Sequence, residues 1–389
     1  MINSSLSPLG ITWSVRIHNQ PFNTLKIQKI SVILEENKHD MAIVEVVGIP
    51  SAYLNGYVDQ PIYIEMSTNG ARSCKFYGNV SHIEGVSSTH EGTVDKSSFQ
   101  LVKIVCLGTS GILRGKNSRV WKNVSIKDIV SEIANKHRIG YSIPNEKYRF
   151  TSLVQKEQSS WQLLVNAANR LGYSISLRNN HIHIWDKQKN AGRQPSYSVL
   201  KGTKELLKDF TPFPGSIIAF SPTIGNYTPY GHNKKQKATY INNQGKMVTV
   251  SSDSFTKDPE FAKKTYNSIT DNLAINATTY DLVEKVLKAQ IKKNNSHKAT
   301  ATILGDPEIV PGGIVLVTGY DSNFDGYWDV VAVKHDLVSN SLLSYLTLEK
   351  DYDMANLPKF PKVQKYVKPP NPILINNTWV LAKEFKYVY

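Results

Sequence analysis

Apolar and polar residues alternate in short runs along residues 11–110. ITWSVRI, KISVILEE, MAIVEVVG, PIYIEMS, CKFYGNVSHIE and FQLVKIVCLG each have the length of a strand, and Gly, Asn, Asp or Pro punctuate most of the gaps. Six or so such runs predict a small antiparallel barrel or sandwich over 1–118. The period changes near Asn123. In VSIKDIVSEIANKHRIG, Ile126, Ile129, Val130, Ile133 and Ala134 recur at helical spacing, with Ser125 or the preceding turn placed to cap the helix and Gly140 to stop it. SSWQLLVNAANRLGY repeats the layout: Trp161, Leu164, Val165, Ala168 and Leu171 form the stripe, Ser159 or Ser160 the cap, Gly172 the stop. YSISLRNNHIHIWD then reads as a hairpin turning at Asn179–Asn180. These pieces predict an α+β unit over 119–186.

Residues 187–296 read as a mixed insertion. A basic linker, KQKNAGRQPS, leads to short strands in LLKDFTPFPGSIIAFSPT and KATYINNQGKMVTVSSD, and from about 258 to 292 the pattern is helical. Strands return over 297–353 in HKATATILG, GGIVLVTGY, YWDVVAVKHDLV and SLLSYLTLEK, a second barrel portion to be completed by strands from the insertion. Residues 354–389 are basic and Pro-rich, the composition of an extended arm, and end in INNTWVLAKEFKYVY, which is apolar enough to dock.

Two stretches share a layout. PIYIEMSTNGARSCKFYGNVSHIEGV and GIVLVTGYDSNFDGYWDVVAVKHDLV both read strand, turn, Phe-x-Gly, strand, so that Phe76 and Gly78 match Phe324 and Gly326. The same topology is expected twice, once near each end of the chain.

A length of 389 residues calls for more than one core. The formal net charge of +14 suits an anionic partner, whether nucleic acid, an acidic protein or a membrane surface, or else a basic surface kept for solubility or assembly. Cys74 and Cys106 are the only cysteines, too few for a metal cage or a secreted disulfide scaffold. They are expected as buried free thiols, though a bridge between neighbouring strands is open. No secretory signal and no membrane-length apolar run is visible, so synthesis in a cytoplasm and no membrane span are expected.

Catalytic patterns are missing: no Gly-x-Ser-x-Gly, His-Glu-x-x-His, phosphate-binding Gly loop or Cys-x-x-Cys occurs. His181 and His183 share one strand face, where a metal or plain solvation are the alternatives. His335 reads as a barrel-rim histidine, since Asp336 beside it points to the opposite face. Asp321, Asn323 and Asp325 alternate like the start of a calcium loop, against a plain β-turn. Lys234, Lys235 and Lys237 near Tyr230 and Tyr240, and Lys359, Lys362, Lys365 and Lys368 in the arm, suit either phosphate contacts or solvated segments lying on acidic neighbours. No catalytic residue, cofactor or metal is expected, and the chain is read as no enzyme.

Three segments resemble the tail-hub (baseplate hub) proteins of long-tailed phages, which are related to the hub portion of type VI secretion spike proteins. The first is VSIKDIVSEIANKHRIGYSI with VQKEQSSWQLLVNAANRLGYSISLRNNHIHIW, the second ILGDPEIVPGGIVLVTG, the third FDGYWDVVAVKHDLVSNSLLSYLTLEK. With the first barrel, the resemblance covers about 1–350. It implies a mainly β fold with α+β insertions: two similar antiparallel β-barrel domains plus smaller α+β domains, forming a trimeric ring with pseudo-six-fold symmetry. Such a homotrimer would link the tail tube or distal tail protein to a central spike or tip protein, contact other baseplate proteins and pass phage DNA. Its place would be the tail baseplate or tail tip of the virion. Phe76, Gly78, Trp161, Gly172, Pro311, Gly312, Phe324, Gly326 and His335 are then the assembly or structural candidates, with the Pro311–Gly312–Gly313 corner fixing a strand register in the ring. The hub of a contractile injection system or prophage-derived element is the alternative reading. A tail-associated cell-wall hydrolase and a nucleic-acid-binding protein are alternatives of other classes.

Overall fold

The computed structural model describes residues 10–22, 26–49, 51–68, 72–86, 101–186, 196–198, 217–223, 236–242, 244–251, 271–274, 279–294, 296–318, 320, 324–338, 341–350, 373–375 and 378–380. The chain opens with β1 (Ile11–Ile17), β2 (Gln20–Pro21), β3 (Ile27–Glu35), β4 (Met41–Val47), the single turn α1 (Ser51–Leu54), β5 (Pro61–Thr68), β6 (Arg72–Val86) and β7 (Leu101–Gly108). The alternation seen in the sequence sorts faces here. Ile30, Val32 and Leu34 of β3 and Ala42, Val44 and Val46 of β4 are buried, while the residues between them are partly exposed, save Ser31, which is buried as well.

The α+β unit follows: β8 (Lys116–Ser125), α2 (Ile126–His137), β9 (Gly140–Ser142), β10 (Arg149–Ser159), α3 (Ser160–Arg170), β11 (Tyr173–Arg178) and β12 (His181–Asp186). Both main helices start with a reciprocal cap. The Ser125 and Ser159 hydroxyls accept from the N–H groups of Asp128 and Gln162, whose side chains accept from the backbone N–H of Ser125 and Ser159. The stop of α2 differs from expectation. Arg138 takes the left-handed conformation that ends the helix, and Gly140 instead opens β9. Asn179 and Asn180 turn the hairpin with φ of 50° and 57°, as a tight turn between right-twisted strands demands.

The remainder comprises β13 (Ser196–Ser198), β14 (Ile217–Thr223), β15 (Gln236–Ile241), β16 (Met247–Ser251), β17 (Asp271–Ala274), α4 (Tyr280–Asn294), β18 (His297–Leu304), β19 (Ile314–Thr318), β20 (Gly326–Val338), β21 (Ser341–Lys350), β22 (Ile373–Ile375) and β23 (Thr378–Val380). The helical expectation over 258–292 holds only for its second part. Asp271–Ala274 is a strand parallel to β15, and 258–270 lies outside the described residues. β22 and β23 pair as a small hairpin inside the stretch expected as an extended arm.

Thirteen strands form one sheet, running β14-β18-β21-β20-β3-β4-β7-β6-β5-β1-β2, with β19 on the first part of β20 and β13 on β19. Two copies of one six-strand order lie within it. The first is β3-β4-β7-β6-β5-β1 and the second β14-β18-β21-β20-β19-β13. This doubling corrects the expectation of two barrels: among the described residues neither copy closes on itself, and β3 of the first adds to β20 of the second, so the halves continue one another. Their buried side chains merge into a single core, which contains Ile30, Val44 and Ile104 as well as Ala301, Val333 and Leu346. A second core fills the α+β unit and takes in Ala238, Tyr240 and Val250 of the β15–β16 hairpin and Leu282, Val283 and Leu287 of α4.

Candidate assembly surface

The junction of the halves sets the geometry. Ala332–Val338 of β20 pair antiparallel with Glu35–Lys29 of β3. β19 leaves β20 at Asp329, a bulge follows between Val330 and Ala332, and beyond it β3 occupies the side that β19 vacated. The Glu36 N–H donates to the Val331 carbonyl at the bulge (3.0 Å). On the outer face, Lys29 and Lys334 reach Asp336 at 3.2 and 2.9 Å. Burial pushes the Asp336 carboxyl upward, but hydrogen bonds from Lys334, Ser31 and Lys29 prevail and hold it below the ordinary value. On the inner face, His335 is fully buried, its ring nitrogens 2.8 Å from the Ser344 hydroxyl and 3.1 Å from the Ile309 carbonyl. Burial lowers its pKa to about 4, so the ring is neutral at pH 7. It is a core histidine, which corrects its placement at a rim.

A buried clamp ties the α+β unit to both halves. Arg178, at the end of β11, donates from Nε to Asp40 at 2.9 Å and from Nη1 to the Pro311 carbonyl at 3.3 Å. Asn37, in the β3–β4 turn, donates its N–H to the Ile175 carbonyl (2.8 Å), and its side chain accepts from the Ile175 N–H (3.1 Å). Burial raises the Asp40 pKa despite the Arg178 charge beside it. A cavity with room for about one water molecule sits over the pair, lined by Asp40, Phe76, Tyr77, Thr109 and Arg178 among others. It is far below the few hundred Å³ of a small-molecule pocket.

The outer face of the sheet is polar and its charges interleave. Cross-strand pairing sets Lys29, Glu45, Lys103 and Glu84 in one row over four strands, alternating in sign at each step. Lys75 meets Glu65 at 3.5 Å, and Lys298 lies opposite Glu349. Among the described residues, these rows therefore form no uninterrupted basic stripe of the kind that binds phosphate backbones.

The sequence candidates fall as follows. Phe76 is buried in the core, and Gly78 lies mid-strand where a Cβ would come within 2.1 Å of the Leu107 carbonyl oxygen. Trp161 is buried on α3, its ring 5.3 Å from that of His39. Gly172 has φ of +75°, and a Cβ there would lie 2.8 Å from that of Ala289 on α4. Pro311 accepts from Arg178, while Gly312 has φ of +90° and lies under Trp185, whose ring a Cβ would meet at 2.9 Å. Phe324 packs on the core and its carbonyl accepts from the Trp328 indole (2.9 Å), and Gly326 opens β20. The Phe-x-Gly match finds the right strands in the wrong register. The bulges align Val80 with Val330, which sets Gly78 beside Trp328 and Phe76 beside Gly326, two residues out.

His181 and His183 form a close pair rather than a solvated face. The rings are 4.3 Å apart, His181 is buried, and His183 bonds the Ser142 hydroxyl at 3.0 Å. Burial lowers the His181 pKa to about 4 and that of His183 well below its ordinary value. Among the described residues no group of three or more His, Cys, Asp or Glu is placed to hold a metal. Asp325 accepts the Tyr320 N–H at 2.9 Å, as a turn-closing side chain does, while Asp321 and Asn323 lie outside the described residues. So do Tyr230, Lys234, Lys235 and the arm lysines 359–368, whereas Tyr240 is buried in the second core. Cys74 and Cys106 are buried free thiols, and burial pushes the Cys74 pKa up to about 12 and that of Cys106 higher still. No described helix is long and apolar enough to cross a membrane. Asp40, Asn37 and Arg178 carry no sequence signal, since their partners are distant in the chain.

The fold of the chain is similar to that of solved tail proteins. The chain is similar to the tail protein from Neisseria meningitidis MC58, with a TM-score of 0.63 and 12% identity over 89% of this chain and 98% of that one. It is similar to the 43 kDa tail protein of prophage MuSo2 from Shewanella oneidensis, with a TM-score of 0.57 and 10% identity over 87% of this chain and 98% of that one. A third likeness is to the E. coli c3393 protein, a type VI secretion component similar to T4 tail proteins gp27 and gp5 (TM-score 0.54, 8% identity, 90% of this chain, 79% of that one). A family model described as the Alg8 N-terminal domain matches residues 81–339, most of the chain, and by that match the chain belongs to this family. That description names neither a tail component nor an activity, and no function is drawn from it. No curated protein matches the chain.

Proposed function

We propose that the chain is a structural hub of a phage tail baseplate or tail tip, acting as a homotrimer between the tail tube and a central spike or tip protein. The observation that carries this reading is the doubled six-strand order, joined within one chain at β3–β20. Three copies of a chain holding the same unit twice present six similar units, so one face can meet a six-fold tube while the chains keep three-fold symmetry. The fold shared with tail proteins supports it. The interleaved charges of the outer face suit a wall past which DNA moves, because a row alternating in sign offers a phosphate backbone no net attraction. The units 1–118 and 297–353 would build the ring wall, 119–186 and 187–296 would brace it from outside, and 354–389 would reach a neighbouring baseplate protein. No reaction is assigned.

The test is the mass and symmetry of the purified protein, by light scattering and then electron-microscopy class averages. A three-fold ring of three chains with an open centre and six lobes is expected. A monomer that stays monomeric at high concentration and in the presence of tube protein would overturn the reading. Clearing of purified cell walls by the protein would overturn its non-enzymatic part.

A further inference from the structure

We propose that the seam between the α+β unit and the doubled sheet is an acid-opened latch: charging of the His181–His183 pair beside Arg178 parts the two bodies while each keeps its own core. The inference goes beyond the hub reading and does not depend on it. Its ground is the two-faced build of the β9-β11-β12 sheet. Cross-strand register pairs Arg178 with His181, Ser176 with His183 and Ser174 with Trp185, so these six residues share one face. Ile175, Leu177, Ile182 and Ile184 fill the other face and belong to the core of the unit. An antiparallel pair commonly turns its polar face to water. Here Ser174, Ser176, His181 and Trp185 on the polar face are buried. The doubled sheet supplies contacts to this side: Trp185 lies against Gly312, Arg178 holds Asp40 and the Pro311 carbonyl, and Asn37 brackets Ile175.

The seam is polar along its length. His39, in the β3–β4 turn, meets the Ser110 hydroxyl at 2.7 Å and the Trp161 ring. The buried apolar residues sort into one cluster on each side, and no residue belongs to both. Opening the seam therefore removes little apolar contact, and neither core has to break. The closed seam also leaves polar groups poorly matched: Arg178 Nη2 and both polar atoms of the Asn180 side chain are buried and bond to no protein group among the described residues.

The charges decide which way acid drives it. Arg178 faces Asp40 of the β3–β4 turn, lines the small cavity with Lys75 and Tyr77 of β6, and acts on Cys74 of β6, His183 of β12 and His335 of β20. His183 also meets the His181 ring and the Ser142 hydroxyl of β9, and His39 faces Arg114. Burial, then His181 and Arg178, hold His183 well below the ordinary histidine value, burial holds His181 at about 4, and burial with Arg114 lowers His39. In an open seam all three return towards 6.5, so the open form binds protons that the closed form refuses, and falling pH favours opening. Asp40 works the other way, because burial raises its carboxyl and acid neutralises it more readily when closed. Three histidines against one carboxylate leave the balance with opening.

The test uses the full chain carrying Ser174→Cys, which places a thiol on the seam face one row beyond His183. Labelling by 4,4′-dithiodipyridine, a thiol reagent active in acid, is located by peptide mass spectrometry and scaled at each pH to the same chain unfolded in urea. Native Cys106, buried in the sheet core, reports global unfolding in the same sample. Between about pH 7 and about pH 4.5 the scaled rate at the Ser174→Cys thiol is expected to rise about tenfold or more while Cys106 stays protected. A seam thiol that stays protected, or that is labelled only together with Cys106, overturns the latch. Adding His181→Gln/His183→Gln is expected to remove most of the rise, and a full rise without these histidines overturns their role. If that variant exposes Cys106 already at about pH 7 and so is unfolded, His183→Gln alone is read in its place, with a weakened rise expected and an unchanged one overturning the proposal.

Discussion

Gly78 and Gly312 are glycines for different reasons, and substitution should separate them. At Gly78 the backbone is ordinary strand, but a Cβ would sit 2.1 Å from the Leu107 carbonyl oxygen, which is ladder backbone and cannot move aside. Gly78→Ala is expected to cost about 3 kcal/mol or more, read as a fall in thermal midpoint, because overpacked cores lose roughly 1–3 kcal/mol even where side chains can adjust. At Gly312 the obstacle is the Trp185 ring together with φ of +90°, so Gly312→Ala strains the turn as well as the contact. His335 gives a pH dependence with a definite sign. Its folded pKa is near 4 against 6.5 for the free side chain, so between these values the unfolded chain binds a proton that the folded chain refuses. Stability is therefore lost as pH falls from 6.5 towards 4, by up to about 3 kcal/mol from this residue. His181 acts in the same direction. His335→Gln should flatten the urea midpoint against pH in that window; an unchanged slope would remove His335 as the cause.

Among elements, those fixed by local chemistry were legible in the sequence. Ser125 and Ser159 cap their helices because a hydroxyl three residues before its partner N–H needs no distant help. The Asn179–Asn180 turn was legible for the same reason. What the sequence hid depends on pairing. A strand slid by two residues keeps the same faces, so the Phe-x-Gly match could not reveal the bulges that fix the register. Alternating apolar positions did not distinguish a rim from a core at His335, and Asp271–Ala274 became a strand only because β15 offers it an edge. The Arg178–Asp40 pair is 138 residues apart in the chain and has no local signature. Its energetics are predictable. Burial outweighs the ionic attraction at Asp40, so the pair fixes how the α+β unit sits more than it stabilises the fold. Asp40→Ala and Arg178→Ala should each cost about 3–5 kcal/mol, while Asp40→Leu/Arg178→Met should cost less than either. Chemical denaturation of the three variants decides it; a double variant worse than both singles would show that the pair contributes net stability.

At the scale of the molecule, the net charge of +14 sits beside an outer sheet face whose charges cancel along their rows. If that face passes DNA, making it basic should make it grip. Glu45→Lys/Glu84→Lys is expected to bind duplex DNA more tightly than the native protein, with a steeper fall in affinity as salt rises, since each added phosphate contact adds about 0.9 to the log–log slope. Equal slopes for the two proteins would place the DNA-facing surface elsewhere.

The β3–β20 junction also sets a timetable. Its strands lie about 300 residues apart, so β3 leaves the ribosome long before its partner exists. At about 5–20 residues per second, the nascent first half waits roughly 15–60 s with that edge bare. An unpaired edge backed by a finished apolar face is what promiscuous strand addition needs, so the newborn chain is at its stickiest while translation is still under way. A ribosome stalled before Gly326 would release a half-sheet with nothing to cover it, and a holdase that shields β3 in that interval would raise the yield of complete protein more than any help given after release.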